Sequence, residues 1–153
     1  MVEFALILVP LLLLVVGIIQ FGIGLNYWLD LNRLSNQGAR WAAVNAYPGC
    51  GTPLGSTDPN TLNCSKNPAI SLQRYIACQR VPNGLKPTVT ISFPGGSTAT
   101  KPGDSVKIEV KTPYKLRAIM GLGTITLAAR TTMRLEQEAK RYAAGAFTPT
   151  TCP

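Results

Sequence analysis

The reactive inventory of this chain is short: four cysteines, seven carboxylates and no histidine among 153 residues. Without imidazole, general acid–base catalysis and most zinc sites must be built from other groups, and a cysteine nucleophile lacks its usual base. Cys50, Cys64, Cys78 and Cys152 form no Cys-x-x-Cys pair, so a zinc knuckle is not expected. No Gly-x-Ser-x-Gly and no phosphate-cradling motif occurs, and Gly51 to Gly55 and Gly95-Gly96 read as loop glycines. The expectation is therefore a protein that is not an enzyme, with no catalytic residues, no metal and no cofactor. An even number of cysteines behind an apolar segment points instead to two disulfides formed in an oxidising compartment. Three pairings are possible. Cys50–Cys64 would staple a Gly/Pro-rich loop and Cys78–Cys152 would pin the tail; four reduced thiols are the alternative.

Two further groups of charge stand out. Glu3 sits at the edge of an uncharged run, where a carboxylate is costly to move inward and is often functional; the plainer reading leaves it in a headgroup layer. All 15 Lys and Arg follow that run, and the net charge is +8. Lys101, Lys107, Lys111, Lys115 and Arg117 form a basic stretch able to meet phosphates or an anionic surface polymer. The wet face of a strand accounts for the same charges, so nucleic acid is not the expected partner.

The element that must position Glu3 is a helix. Phe4 to Leu25 contains no charge and one polar residue, Gln20. At about 1.5 Å per residue such a run spans a hydrocarbon core of about 30 Å. It is longer than a secretory signal core of about 7–15 residues, which argues for a retained anchor. Helical spacing continues: Tyr27, Leu31, Leu34, Gly38 and Trp41 share one face, and Pro48-Gly49 is the expected stop. The whole reads as one helix of roughly 45 residues, about 65 Å long. Pro10 removes one of its hydrogen bonds and promotes a kink, which membrane helices tolerate. Gly17, Gly22 and Gly24 allow close helix approach, although glycine is also simply frequent in such helices. The chain thus divides into a hydrophobic helix at 1–25, an amphipathic continuation at 26–48 and a globular head at 49–153.

In the head, Cys50 to Pro68 reads as a loop and Ala69 to Arg80 as a short helix bounded by Asn67-Pro68 and Pro82-Asn83-Gly84. Thr88 to Phe93 and Ser105 to Lys111 alternate as strands, with Val89, Ile91, Phe93, Val106, Ile108 and Val110 inward, and pair as a hairpin with a long loop. Lys115 to Leu122 suggests a helical turn. Thr124 to Glu136 is the third strand, with Ile125, Leu127, Ala129, Thr131, Met133 and Leu135 on one face. The tail from Gln137 begins like a helix. The expected fold class is α+β: a long helix packed on the apolar side of a small three-stranded antiparallel sheet.

Val2-Glu3-Phe4-Ala5-Leu6-Ile7-Leu8, Pro10 with its Leu/Val run, and Gly17-Ile18-Ile19-Gln20-Phe21-Gly22 resemble the N-terminus of TadE-like proteins, pilin-like components of the tight-adherence branch of type IV pilus systems. Gly38-Ala39-Arg40, Thr124 to Ala129 and Met133 to Glu136 resemble that family more weakly. The resemblance implies a pilin-like fold, export through the inner membrane, cleavage of a short basic leader, and assembly with identical or homologous pilin subunits and an inner-membrane assembly machinery. It also implies that Glu3 neutralises a neighbouring subunit's N-terminal amine, a plausible registry device. Pilins carry that glutamate fifth in the mature chain; here it is third with no basic leader before it, so missing upstream residues or different processing is expected. The implied location is the inner membrane with the head outside, then a pilus or the cell surface. Long domains cross regardless of the positive charges that follow the span. The competing reading is a single-pass anchored adhesin whose basic head binds a surface polymer or DNA.

Overall fold

Branched aliphatic residues, with no charge among them to be desolvated, make residues 4–25 a single apolar rod. In the computed structural model, which describes residues 2–47, 71–79, 87–96, 99–115 and 123–148, this rod is the first half of helix α1, Val2–Ala43. Its 42 residues, Pro10 among them, extend about 63 Å. The second half is amphipathic as expected. Tyr27, Leu31, Leu34 and Gly38 are buried, and Trp41 is half-buried with its ring edge-on to Tyr75. Ser35, Ala39 and Ala42, all at 0% exposure, widen that stripe.

The helix ends at Ala43, short of the expected Pro48-Gly49, which lies outside the described residues. Asn45 takes the left-handed conformation at φ 49°. The Ala46 amide donates to the Trp41 carbonyl and the Asn45 amide to that of Ala42, the paired closure of a Schellman motif with Asn in place of the usual Gly. Segment 135–142 completes the cap. The Glu136 and Gln137 amides donate to the Ala43 carbonyl, the Tyr142 hydroxyl donates to that of Ala42 at 2.8 Å, and Asn45 Oδ1 accepts from the Arg141 amide. Carbonyls that a helix end leaves orphaned are thereby partnered.

Four strands follow: β1 Thr88–Ser92, β2 Ser105–Lys115, β3 Thr124–Arg134 and β4 Gly145–Phe147. They form one antiparallel sheet in the order β3-β2-β1-β4. The β1–β2 hairpin has Ile91 opposite Ile108, and β3 lies along β2 with Ala129 opposite Val110. Val89, Ile91, Val106, Ile108 and Val110 are fully buried, as alternation dictates. The fold class is the α+β one expected, with one more strand. The tail is where expectation failed: no helix begins at Gln137. Once the amides of residues 136–137 are bonded to the end of α1, the chain does not wind into a helix there, and Gly145–Phe147 adds to the free edge of β1. Lys115 closes β2 instead of opening a helical turn; residues 116–122 lie outside the described set. Pro113, which has no N–H, falls where β2 runs past the end of β1 and has only β3 beside it. The short helix α2 is Leu72–Ala77, tighter than expected, with Ser71 as N-cap accepting from the Arg74 amide.

Strands β2 and β3 pack their apolar side on the C-terminal half of α1, and α2 closes the end of that core beside β1. One residue is out of keeping there. Thr112 is fully buried on the inward face of β2, and its hydroxyl has no hydrogen-bond partner among the described residues. An unpaired buried hydroxyl costs more than a matching methyl. Thr112→Val is expected to raise the stability of the head by about 1 kcal/mol, read as a higher urea midpoint with unchanged slope.

Candidate functional site

The N-terminal half of α1 is bare. Every described side chain from Glu3 to Val15 is exposed, Phe4 at 72% and Leu6 at 74%. Exposed apolar side chains continue through Phe21, Leu25, Trp28 and Leu29. The helix is long and apolar enough to cross a membrane, and none of its most apolar window is buried. Glu3 lies in the first turn, exposed, and Pro10 lies in the middle of the bare stretch. Around Gly17 and Gly22 there is open space, with nothing within 4 Å of where a Cβ would sit. Gly24 differs: it faces the chain's own Tyr114 ring, 3.7 Å from that position.

Tyr114 marks where bare helix becomes covered helix. Its ring meets Tyr27 at 5.4 Å between centroids, and its hydroxyl donates to Gln20 Oε1 at 3.4 Å. Beside it, Gln20, Phe21, Gly24, Leu25, Ile125 and Leu127 line an open groove of about 190 Å³. Ile125, expected inward, is 44% exposed because it stands at this lower rim of the sheet. Higher up, Ser35 Oγ shares a 2.9 Å hydrogen bond with Thr131 Oγ1, which also donates to Asn36. There Gly38 lets Ile76 and Ile108 approach the helix backbone. Tyr114, Ser35 and Gly38 fix the rod to the head; sequence reading put Gly38 on the packing stripe but gave Tyr114 and Ser35 no role. The signals were the single Gln in the span and a Gly on a stripe of large residues.

The buried tyrosines near the head's upper end are structural donors. Burial pushes Tyr142 well above the ordinary tyrosine range. Burial likewise lifts Tyr47, against the opposing charge of Arg141, to about 12. The basic stretch lies on the outward face of the sheet. Arg130 Nε donates to Glu109 Oε1 at 2.6 Å, and Lys111 Nζ stands 3.1 Å from the same oxygen. Partial burial works to raise the Glu109 carboxyl, but the hydrogen bonds and charges of Lys111 and Arg130 outweigh it and hold it below its ordinary value. A depressed folded-state value means stability that is present above the ordinary carboxylate range and lost as pH falls through it. Glu109→Gln is expected to lower head stability by about 0.2–1 kcal/mol at pH 7, a gap that narrows in urea melts as pH falls through the lowered carboxyl value.

Among the described residues no cluster of His, Cys, Asp and Glu could hold a metal ion. Cys78, just past α2, is disulfide-bonded; Cys50, Cys64 and Cys152 lie outside the described residues, and with them both pairings. Arg117 lies outside as well.

The geometry defines a class: a membrane-length apolar helix, bare over its first half and sunk over its second into a small α+β head. The N-terminal sequence narrows it, since the family model described as TadE-like protein matches residues 1–40, most of α1. That is the family which the N-terminal residues resemble. No curated protein and no solved structure matches the chain.

Proposed function

We propose that this chain is a pilin-like structural subunit of a tight-adherence pilus system, anchored by α1 in the inner membrane and then packed by the same helix into a filament. The observation that carries the reading is the apolar surface of α1, bare from Phe4 to Val15 and exposed along one side as far as Leu29, on a helix whose other half packs against a folded head. In water such a surface needs a cover, and a bilayer or the helices of other subunits supply one. Gly17 and Gly22, open on their own side, permit close approach of a neighbouring helix. Glu3 at the tip would meet the N-terminal amine of a second subunit, and Pro10 would promote a local bend. The partners are identical or related pilins, the assembly machinery and, before assembly, lipid. The head lies on the extracytoplasmic side, where Cys78–Cys152 and Cys50–Cys64 disulfides are stable. Sheared surface filaments, imaged by electron microscopy and identified by mass spectrometry, test this. This chain in the fibre, as main or minor component, supports the reading; filaments that form unchanged without it count against it.

A second reading, an anchored surface-binding protein, draws on the outward face of the sheet, where Lys107, Lys111 and Lys115 follow one another along β2 with Arg130 and Arg134 on β3. Binding of an anionic polymer that falls steeply with salt would favour it.

A further inference from the structure

Gln20 is the one polar residue in the span, and the structure supplies its partner from the head. Counting from Glu3 in one headgroup layer, about 20 residues of helix reach across a hydrocarbon core of about 30 Å, which puts the far boundary near Ile23. Gln20 then lies about 4–5 Å inside that boundary. A side-chain amide at that depth has no water to bond, and leaving it unpaired is costly. The Tyr114 hydroxyl donates to it, so the membrane-proximal end of β2 must reach the same depth. Strand β3 runs alongside α1: Leu127 lines the groove with Leu25, Thr131 bonds Asn36, and the Glu136 amide bonds Ala43. Its first residues are therefore the ones nearest the bilayer. Ile125 is exposed there, and Lys115, opposite Thr124 at the end of β2, is exposed on a stem long enough to reach out toward lipid phosphates. Tyr27 and Tyr114 pack ring against ring there and Trp28, next along the helix, is exposed, in the zone where aromatic residues concentrate at membrane–water boundaries.

We propose that the β2–β3 end of the head is a second membrane contact, with Ile125 and the groove between Phe21, Leu25 and Leu127 filled by phospholipid, and Lys115 paired with lipid phosphate. Lipid is the occupant because the groove opens at the depth where the apolar surface of α1 leaves the hydrocarbon. Lys115, exposed on the outward face at the same end of β2, suits an anionic headgroup. The contact orients the head before assembly and keeps Gln20 satisfied while the chain is in the membrane. It rests on the anchoring part of the proposed function.

The test places the photo-reactive residue p-benzoylphenylalanine at Leu12, Ile125 or Thr132 of the full chain. The chain is reconstituted in vesicles of phosphatidylethanolamine and phosphatidylglycerol, and adducts are read by mass spectrometry. All three positions are exposed or lipid-facing, so folding is preserved. Lipid adducts at Leu12 and Ile125, with none at Thr132 toward the other end of β3, are expected. Lipid at Leu12 but none at Ile125 overturns the second contact and leaves the anchor standing. Adducts from Ile125 to a second copy of the chain in place of lipid also overturn it. No lipid adduct at Leu12 removes the anchor and the inference with it.

Discussion

Arginine at both Leu8 and Leu12 is expected to release the chain from alkali-washed membranes, whereas Leu12→Arg alone leaves a reduced but membrane-bound fraction. The magnitudes decide between the two. Between Phe4 and Ile23 the helix carries fifteen Leu, Ile, Val and Phe residues. Each favours insertion by about 0.3–0.6 kcal/mol at the helix centre, roughly 5–9 kcal/mol together before Gln20 and Pro10 are charged against it. One central arginine costs about 2.5–3.5 kcal/mol and erodes that margin without cancelling it. Two, with two leucines lost, bring it close to zero. The residues are one turn apart on the same face, so a single water defect or snorkelling route would serve both, and the pair is the stringent version of the experiment. Both side chains are exposed and touch no part of the head. The released chain should therefore keep its head fold, seen as an unchanged urea midpoint. A double variant that stays in the washed membrane would mean that something other than α1 holds it there.

What could be read from the sequence follows from which forces act locally. The apolar run, the stripe of Tyr27, Leu31, Leu34 and Gly38, and the alternation of Val106, Ile108 and Val110 are written in periodicity, and the structure keeps them all. The misses share a cause: they depend on contacts between residues more than 50 positions apart. Asn45 ends α1 early because Arg141 and residues 136–137 are there to bond its end. The tail is not helical because those same bonds tie it to the end of α1. β4 is only Gly145–Phe147, too short to show alternation, and exists because β1 has a free edge. Of the candidate site, Glu3, Pro10, Gly17 and Gly22 were visible as residue types in an apolar run. Their surroundings are the bare face of α1, which a single chain does not cover. Tyr114 was not visible at all, since nothing in its own strand hints at Gln20, 94 positions away.

Gly38 is the position where one substitution should cost the head most. It is buried under Ile76 and Ile108: a Cβ there would stand 2.5 Å from Ile76 Cδ1, 3.2 Å from Ile76 Cγ1 and 3.3 Å from Ile108 Cδ1. For alanine two effects oppose each other. Removing a mid-helix glycine gains up to about 1 kcal/mol, and the nearest clash is with the end of a flexible side chain, so Gly38→Ala should fall within about 1 kcal/mol of the parent. Valine regains less propensity because it is β-branched. Its two methyls meet Ile108 as well, which the β1–β2–β3 register holds in place. Overpacking of this kind costs about 1–3 kcal/mol, and Gly38→Val is expected at the upper end, a large share of the stability of a small domain. The measurement is urea unfolding of the detergent-solubilised chain followed by Trp41, whose ring sits against Tyr75 of α2 and reports this interface. Shortening the opposing side chain separates a local clash from general helix damage. Ile76→Val alone should cost about 0.5–1.5 kcal/mol, but in the Gly38→Val background it should cost nothing or restore stability, a coupling expected only of groups in contact. If the two losses simply add, the helix and α2 do not meet at Gly38, and the account of how the rod is fixed to the head fails there.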